Sequence, residues 1–434
     1  MHTENQRARG SVLFVGLNYA PEPTGISPYT TGMAEGLARD GWDVRVITSY
    51  PHYPWWEVRD EHRALPARET VEAVDVRRVR HHVPRSPGSL RRALFETSFG
   101  VRALLCRWDS PDVVVVVSPA LLASRLIALR ARLARIPVVT WVQDIYALGV
   151  QEAGGGTGAG AVGAIEASLF AASERVVVIH RRFRQVLESR FAVRRPIDVV
   201  RNWSHVPEIH LEDAAAVRAR RGWRSDEVIV LHAGAMGAKQ GLENVVAAAE
   251  VARARGSRLR FVLMGDGGRR AALEALPGAD AVSFVDPLPE EEFLSTLAAA
   301  DILLVNERPG MTDMSVPSKL TSYFATGRPV IAAVDERSTT RAEMEASQAG
   351  PVIAPAMPVD LVDAAEALAA DPALAHRYGV AGQTYRRRVL TEHAAVAAFA
   401  RSLTAAVSAP RAAASAIGAA QPVARDLASR HVLS

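Results

Sequence analysis

Lysine and cysteine are nearly absent from this sequence of 434 residues. Lysine and arginine together number 51, yet lysine occurs only at Lys239 and Lys319. The single cysteine, Cys106, excludes an intramolecular disulfide and an all-cysteine metal cluster, and it fits a reducing, cytoplasmic compartment. A composition that has almost eliminated lysine directs attention to the two positions where lysine remains.

Long uninterrupted apolar runs are also missing. The longest, residues 113–133, is broken by Ser118, Pro119 and three arginines. That pattern predicts a buried strand followed by an amphipathic helix, and it argues against a membrane span. No signal peptide is visible, because the first ten residues are polar and the apolar run after them has the length of a strand.

The charge balance is close to neutral. Fifty-one basic and 47 acidic side chains give a formal net charge of +4, which is too small an excess to argue for a nucleic acid partner. Hydrophobic residues make up 49% and charged residues 23%, so the chain is not disordered throughout. Its length predicts two or three domains.

Short Val- and Ile-rich runs alternate with helical spacing, as in parallel sheets covered by helices on both faces. The pattern predicts an α/β chain with two Rossmann-like, doubly wound domains, residues 1–205 and 206–390. We expect a helix over residues 391–408 that packs back on the first domain, and a disordered tail over 409–434. The glycine-rich stretch 153–163 predicts a mobile loop.

The two lysines occur in segments that suit an anion. HAGAMGAKQG (His232–Gly241) follows a predicted strand, and its three glycines admit phosphates while Lys239 supplies a positive charge. In DMSVPSKLTSYFATGRP (Asp313–Pro329), Lys319 lies in the first turn of a predicted helix, where a cation is disfavoured unless an anion also binds. Both lysines therefore indicate one negatively charged ligand, and the alternative for each is a solvated surface side chain.

A proline-rich loop, LNYAPEPTGISPY (Leu17–Tyr29), follows the first predicted strand. Ligands of doubly wound sheets bind outside the carboxyl ends of the strands, and Gly25 allows close backbone approach there. Because the G-x-G-x-x-G fingerprint is absent, an ordinary loop between strand and helix is an equal alternative.

The ordered set of motifs resembles the family 4 glycosyltransferases of the GT-B fold, and among them the colanic-acid-type enzymes of cell-surface polysaccharide assembly. Each stretch is weak alone, but the set is specific. The matching stretches are NYAPEPTGISPYT (18–30), TSYPHYP (48–54), WVQD (141–144), RNW (201–203), GAMGAKQGLE (234–243), MGDG (264–267) and VPSKLTSYFATGRPV (316–330).

The resemblance implies a nucleoside diphosphate sugar bound in a cleft between the two domains, mostly by the second. Lys239 would contact the diphosphate and stabilise the leaving group, and Lys319 would hold phosphate or ribose. Such enzymes retain anomeric configuration and need no metal or other cofactor, in agreement with the lack of any Asp-x-Asp motif. The other donor-binding residues it implies are Gly25, Gly234, Gly237, Gly265, Asp266, Gly267, Ser318 and Leu320.

The sequence departs from the family pattern at charged positions. Ala235 stands where many members have arginine, and Met314 and Ser322 stand where many have a pair of glutamates. The catalytic histidine of the first domain is replaced by Gln143, which leaves Asp144 to orient the acceptor hydroxyl or accept its proton. An equal alternative for Asp144 is a residue that caps the next turn.

Two further acids lie near the missing glutamate pair, although out of register with it. We expect Glu307 and Asp313 to be solvated loop residues.

Five aromatic residues in one loop after a first-domain strand form a candidate acceptor platform. Aromatic faces stack on sugar C–H surfaces, and a small satellite core is the alternative. The five are Tyr50, His52, Tyr53, Trp55 and Trp56.

A basic segment over residues 77–107 has eight arginines and one glutamate, for a formal charge of +7. Apolar residues alternate with the arginines at helical spacing, which suits contact with the anionic inner face of the plasma membrane. A solvated helix is the alternative. These apolar residues are Leu90, Leu94, Phe95, Phe99 and Leu104.

Together these features predict a metal-independent, retaining glycosyltransferase. It would move a hexose or N-acetylhexosamine from a nucleotide sugar to a lipid-linked glycan, such as a polyprenyl-linked acceptor. We expect it to be cytoplasmic and peripheral to the membrane. A GT-B nucleotide-sugar 2-epimerase and a non-catalytic subunit that binds nucleotide or glycan remain as alternatives.

Overall fold

The computed structural model of the protein describes residues 9–23, 25–85, 89–148, 156–204, 212–310 and 318–409. Contacts divide the chain into two compact units. The first unit comprises residues 1–200 and 396–434, and the second comprises residues 201–395.

Eight strands form the sheet of the first unit: β1 (Ser11–Val15), β2 (Asp43–Ser49), β3 (Arg68–Val71), β4 (Val74–Val79), β5 (Val113–Ser118), β6 (Val138–Val142), β7 (Arg175–Val178) and β8 (Ile197–Val199). Their order is β3-β4-β2-β1-β5-β6-β7-β8, and all neighbours are parallel except β3 and β4. The sheet is buried on both faces at its centre, which explains the continuous valine run of β5.

Helices connect these strands: α1 (Ser27–Arg39), α2 (Asp60–Arg63), α3 (Ser89–Leu105), α4 (Leu121–Leu133), α5 (Gly156–Ala172) and α6 (Arg181–Arg190). The prediction of a mobile loop over 153–163 is wrong from residue 156, where α5 begins, and residues 153–155 lie outside the described chain. Leu169 of α5 is fully buried in the core and Ile165 packs against it. This burial outweighs the cost of about 1 kcal/mol for each helical glycine.

The basic segment 77–107 is not one amphipathic element. Its first residues belong to β4, and α3 begins only at Ser89. Phe95 and Phe99, which we expected on the membrane-facing side, are buried in the first unit. Helical spacing alone cannot tell which side of a helix faces the core, because core-facing and exposed stripes share the same period.

Six parallel strands form the sheet of the second unit: β9 (Val228–Ala233), β10 (Leu259–Met264), β11 (Val282–Val285), β12 (Ile302–Asn306), β13 (Val330–Ala333) and β14 (Val352–Ile353). Their order is β11-β10-β9-β12-β13-β14. The helices are α7 (Ala214–Arg220), α8 (Glu243–Ala254), α9 (Arg270–Glu274), α10 (Glu290–Ala299), α11 (Ser318–Thr326), α12 (Thr339–Ser347), α13 (Pro358–Ala370) and α14 (Pro372–Val389).

A final helix, α15 (Glu392–Ser408), contributes to the core of the first unit. Phe399 of α15 is fully buried, with ring centres 6.0 Å from Phe14 and 4.9 Å from Trp141. From residue 410 onward, the predicted tail lies outside the described chain.

Strand order reverses beside β1 in the first sheet and beside β9 in the second. The loops that follow these strands diverge at such a point and leave room for a ligand at the carboxyl edge. The prediction of two Rossmann-like, doubly wound units is confirmed.

Candidate functional site

Two glycines bring the ends of β9 and β10 into direct backbone contact. Gly234 N donates a hydrogen bond to Met264 O at 2.8 Å. A Cβ atom on Gly265, whose φ is +140°, would lie 2.0 Å from Gly234 O. Only glycine fits at position 265, because any side chain would overlap the backbone of the neighbouring loop.

The next residues of the same two loops repeat this arrangement. Met236 N donates to Asp266 O at 2.8 Å, and a Cβ on Gly267 would lie 2.6 Å from Met236 O. Gly237 N donates to the side-chain oxygen of Gln240 at 3.0 Å. The loops after β9 and β10 therefore form one bare-backbone surface at the carboxyl edge of the second sheet.

Lys239 lies on a short 3-10 turn that is tied to the end of β12. Its carbonyl accepts from Arg308 N at 2.9 Å. The next two carbonyls, of Gln240 and Gly241, accept from Nδ2 of Asn306 at 2.7 and 2.9 Å. Three successive carbonyls are thus fixed from one neighbouring strand end, while the side chain of Lys239 is exposed.

Lys319 lies on α11 and reaches the same edge. A Cβ atom built on Gly234 would be 3.7 Å from Lys319 Nζ, so the ammonium group stands beside the bare backbone. The ammonium is also 3.3 Å from Nε2 of His232, the buried residue two positions before Gly234. Desolvation lowers the pKa of Lys319 from 10.5 to about 8, against the opposing effect of the Glu307 charge.

Glu307 is fixed in place, so our expectation of a solvated loop residue is wrong. Its carboxylate accepts hydrogen bonds from Ser338 Oγ at 2.7 Å and from Thr340 Oγ1. Its charge raises the pKa of Lys319, which means that the two groups interact. Asp313 lies outside the described chain.

The remaining donor-side residues differ in what they can offer. Leu320 is buried in the core, so only its backbone is available to a ligand. Asp266 is exposed, and Gly267 N donates to its carboxylate at 2.7 Å. Ser318 begins α11, and its side chain lies outside what the structure describes.

In the first unit, a buried carboxyl group joins the loops that follow β1 and β2. Oε1 of Glu22 accepts from His52 N at 2.7 Å and from Tyr53 N at 2.9 Å, and Oε2 accepts from Asn18 Nδ2 at 2.8 Å. A Cβ on Gly25, whose φ is +71°, would lie 3.1 Å from the Tyr53 ring. Gly25 and the aromatic loop therefore form one connected structure.

Two members of the aromatic loop, Tyr50 and His52, are buried. The His52 ring lies 5.2 Å from Phe95 and 5.9 Å from His81. Burial lowers the pKa of His81 to about 3, so His81 remains neutral. These rings fit the alternative of a satellite core.

The other three aromatic residues are accessible to solvent. Tyr53 and Trp55 are each 37% exposed, and Trp56 is half-buried. The guanidinium of Arg59 lies 3.8 Å from the centre of the Trp55 ring and covers one of its faces. Only these three residues present ring surface on which a sugar could stack.

Asp144 is exposed at the end of β6, and a buried glutamate holds the turn that follows it. Glu166 of α5 accepts from Tyr146 N at 3.0 Å and from Ala147 N at 3.1 Å. Burial raises the pKa of Glu166 to about 7, with a further contribution from the Asp144 charge. Ser118 Oγ donates to Asp144 O at 3.3 Å.

Sequence reasoning missed the residues that support these groups. Glu166 and Asn306 lie outside the quoted motifs, and Glu22 and His232 lie inside them without an assigned role. Most of their partners are distant in sequence, as with the 20-residue separation of Glu166 from Tyr146. The sequence feature that could have identified them is a polar residue inside or beside an apolar segment. Such a residue is buried on folding and needs a hydrogen-bond partner.

Comparison with known proteins identifies both units. The sequence matches the glycosyl transferase 4-like domain over residues 24–203 and the glycosyl transferases group 1 over residues 227–371. It is 33% identical over 333 residues to the "Putative colanic acid biosynthesis glycosyl transferase WcaI" of Escherichia coli (strain K12), covering 73% of this chain and 81% of that protein.

Solved structures show the same fold at low sequence identity. The chain is similar to sucrose-phosphate synthase from Thermosynechococcus elongatus, with a TM-score of 0.67 and 17% identity over 92% of this chain and 100% of that one. It is also similar to HepE from Anabaena in complex with UDP, with a TM-score of 0.64 and 14% identity over 91% and 100% of the two chains. For WaaG, a glycosyltransferase involved in lipopolysaccharide biosynthesis, the TM-score is 0.61 and the identity 15% over 91% and 99%.

Proposed function

The chain belongs to the family 4 glycosyltransferases of the GT-B fold, of the type that builds cell-surface polysaccharides, and we propose that it uses a nucleoside diphosphate sugar as donor. The proposed reaction retains the anomeric configuration, and the proposed acceptor is a lipid-linked glycan. The observation that carries the donor proposal is the meeting of Lys319 with the bare backbone of Gly234 and Gly265 at the carboxyl edge of the second sheet. The lack of side chains leaves room for a phosphate beside the backbone, and the ammonium group supplies the opposite charge.

In the proposed transfer, the bond between the anomeric carbon and the diphosphate oxygen breaks, and a new bond to the acceptor oxygen forms on the same face of the sugar. Negative charge develops on the departing diphosphate. Lys239 stabilises that charge, and Lys319 with the backbone amides at the start of α11 holds the phosphates in place. Asp144 orients the acceptor hydroxyl or accepts its proton.

The role of Lys239 is tested by Lys239→Ala. Loss of one preorganised charge at the leaving group lowers transfer by about 10²- to 10³-fold. The side chain is exposed, so the unfolding midpoint stays close to that of the unchanged protein. Arg253→Ala, an exposed cation at the end of α8, is the matched control and keeps full activity. Normal turnover in Lys239→Ala would refute the assignment.

Incubation with donor alone distinguishes the reaction classes. A transferase leaves the donor sugar unchanged apart from slow hydrolysis, whereas a 2-epimerase converts it without any acceptor. Nucleotide binding without turnover across a panel of acceptors would favour a non-catalytic subunit.

We propose that transfer requires no metal ion, because cationic side chains supply the charge at the diphosphate. Among the described residues, no three His, Cys, Asp or Glu side chains are grouped to hold a metal. Activity that survives a strong chelator supports this proposal, and loss of activity restored by Mg²⁺ or Mn²⁺ contradicts it.

A peripheral membrane contact is proposed for the outer surface of α3 and α4. None of the described helices is long and apolar enough to cross a bilayer. Exposed apolar side chains follow one stripe of α3, and two more lie on α4, with arginines beside them. Such a surface suits the anionic headgroup region. The apolar residues are Leu90, Leu94, Val101, Leu105, Leu129 and Leu133.

Charge reversal tests this contact. Arg91 and Arg102 are both exposed on α3, whereas Arg92 packs over the Tyr146 ring at 4.3 Å and would confound the result. Each basic residue near an anionic surface contributes about 1 kcal/mol, so Arg91→Glu with Arg102→Glu weakens binding to anionic vesicles at least tenfold. Arg258→Glu, exposed in the second unit, is the control. Unchanged cosedimentation would count against the contact.

A further inference from the structure

Lys319 is the more constrained of the two lysines, and the constraint comes from a buried histidine beneath it. His232 is the fifth residue of β9, and its side chain is fully buried. Its Nδ1 lies 3.2 Å from Leu304 O on the neighbouring strand β12. Because a carbonyl oxygen can only accept, Nδ1 carries the proton and donates a hydrogen bond to Leu304 O.

The opposite ring nitrogen faces the ammonium group. Nε2 of His232 is 3.3 Å from Lys319 Nζ. Burial and the Lys319 charge hold the pKa of His232 well below its usual range, although the carbonyls of Leu304 and Ala235 act in the other direction. The ring is therefore neutral, and with Nδ1 protonated its Nε2 has a free lone pair directed at Lys319.

We propose that His232 is a positioning residue that holds the Lys319 ammonium group beside Gly234 by accepting a hydrogen bond from it. A lysine side chain has four rotatable bonds and loses much conformational freedom when it is fixed. The Leu304 carbonyl on β12 keeps the proton on Nδ1, so that Nε2 of His232 can accept. A hydrogen bond to Nε2 favours the Lys319 conformation in which the ammonium group faces the backbone of Gly234 and Gly265. This inference deepens the proposed function, since it assigns a residue that prepares the donor site before the nucleotide arrives.

The charged groups around Lys319 come from three elements of the described chain. His232 contributes from β9 and Glu307 from the end of β12, and Lys319 itself is on α11. Glu307 is already engaged by Ser338 and Thr340. Among the described residues, the neutral ring lies at hydrogen-bonding distance from the ammonium, so it is the group to remove.

The tautomer of His232 can be read in the unchanged protein. With ¹⁵N-labelled histidine, and His232→Gln to assign the signal, we expect His232 to be neutral and protonated at Nδ1 at pH 7. A neutral ring protonated at Nε2 would direct a proton at the ammonium group and would overturn the proposal. This measurement needs no ligand and no destabilised variant.

The effect on Lys319 is measured by lysine labelling, which this sequence makes simple because it has only two lysines. A chain labelled with ¹³C at lysine Cε gives two side-chain signals, and Lys239→Arg assigns them. His232→Phe keeps an aromatic ring of similar volume but removes the acceptor, so we expect the titration midpoint of Lys319 to fall by about one pH unit. His232→Gln retains an acceptor oxygen and keeps the midpoint near that of the unchanged protein. Equal midpoints in all three proteins would overturn the proposal.

Nucleotide binding separates this inference from the proposed function on which it rests. In calorimetry with UDP, GDP, ADP and dTDP, His232→Phe should bind the preferred diphosphate about tenfold more weakly and the matching nucleoside equally well. Equal diphosphate affinity would contradict the positioning role. If the unchanged protein binds none of the four, the donor assignment fails, while the lysine titration still decides whether His232 positions Lys319.

Discussion

The carboxyl edges of the two sheets differ in the residues that form their loops. In the second unit, glycine backbones approach within contact distance and two lysines lie beside them. In the first unit, the loops are held by the buried carboxyl groups of Glu22 and Glu166, each of which accepts from two backbone amides. The glycine amides of the second edge are bonded within the unit as well, so the two edges differ in their side chains: the second has glycines and ammonium groups, and the first has buried carboxyl groups.

The difference indicates what each edge can bind. Ammonium groups beside glycine backbone attract a dianion such as a diphosphate, and the missing side chains leave room for it. The loops of the first unit present side chains, here the rings of Tyr53, Trp55 and Trp56 and the carboxylate of Asp144. A neutral sugar is recognised by ring stacking and side-chain hydrogen bonds, so the first edge suits an acceptor.

Gly265→Ala should disrupt the second edge most strongly. The new Cβ would lie 2.0 Å from Gly234 O, at a backbone φ of +140° that disfavours any side chain. We expect a loss of about 4 kcal/mol or more in unfolding free energy together with loss of nucleotide binding. Gly256→Ala is the control, since its φ is +63° but no atom lies within 4 Å, and it should cost about 1 kcal/mol. Equal losses in the two variants would show that the close backbone approach is not required.

Glu22→Ala disrupts the first edge. It leaves the amides of His52 and Tyr53 and the side chain of Asn18 without their buried acceptor, at a cost of about 3 kcal/mol in unfolding free energy. Glu22→Gln retains one oxygen for the two amides and should lose about 1 kcal/mol. Thermal unfolding of both variants checks this order, and an equally stable Glu22→Ala would mean that the loops hold together without the carboxyl group.

Glu166 should make stability depend on pH. Its pKa is about 7 in the folded protein and near 4.5 when unfolded, so between these values the folded state retains a proton that the unfolded state releases. Stability therefore falls as pH rises from about 4.5 to 7, by at most about 3 kcal/mol. In Glu166→Gln this dependence disappears, which unfolding midpoints at pH 5 and pH 8 would reveal. The same change in midpoint in both proteins would contradict the buried titration.

The fold could be predicted from the sequence because strand length, side-chain branching and loop position are visible in short segments. Valine-rich runs such as β5 have the length and branching of buried parallel strands, and the loops after them mark the sheet edge. Helix α5 was not predictable in this way, because its glycines disfavour a helix and only packing of residues such as Leu169 compensates.

The site was predictable only in part, for a similar reason. Lys239 and Lys319 stood out because lysine is rare in this sequence. The role of His232 depends on its contacts with Leu304, which is 72 residues away, and with Lys319, which is 87 residues away. Glu307 looked like a loop acid until Ser338 and Thr340 were seen to bind it. Contacts across strands depend on sheet order, which no single segment of the sequence contains.

The most direct test of the donor-site assignment follows both lysine signals while a nucleotide is added. With lysine labelled at Cε, titration of UDP, GDP, ADP or dTDP should shift the Lys239 and Lys319 signals together along one saturation curve. The corresponding nucleoside should move neither signal, because the proposed contacts of both lysines are to the diphosphate. A nucleoside diphosphate that binds by calorimetry while both lysine signals stay in place would contradict the account.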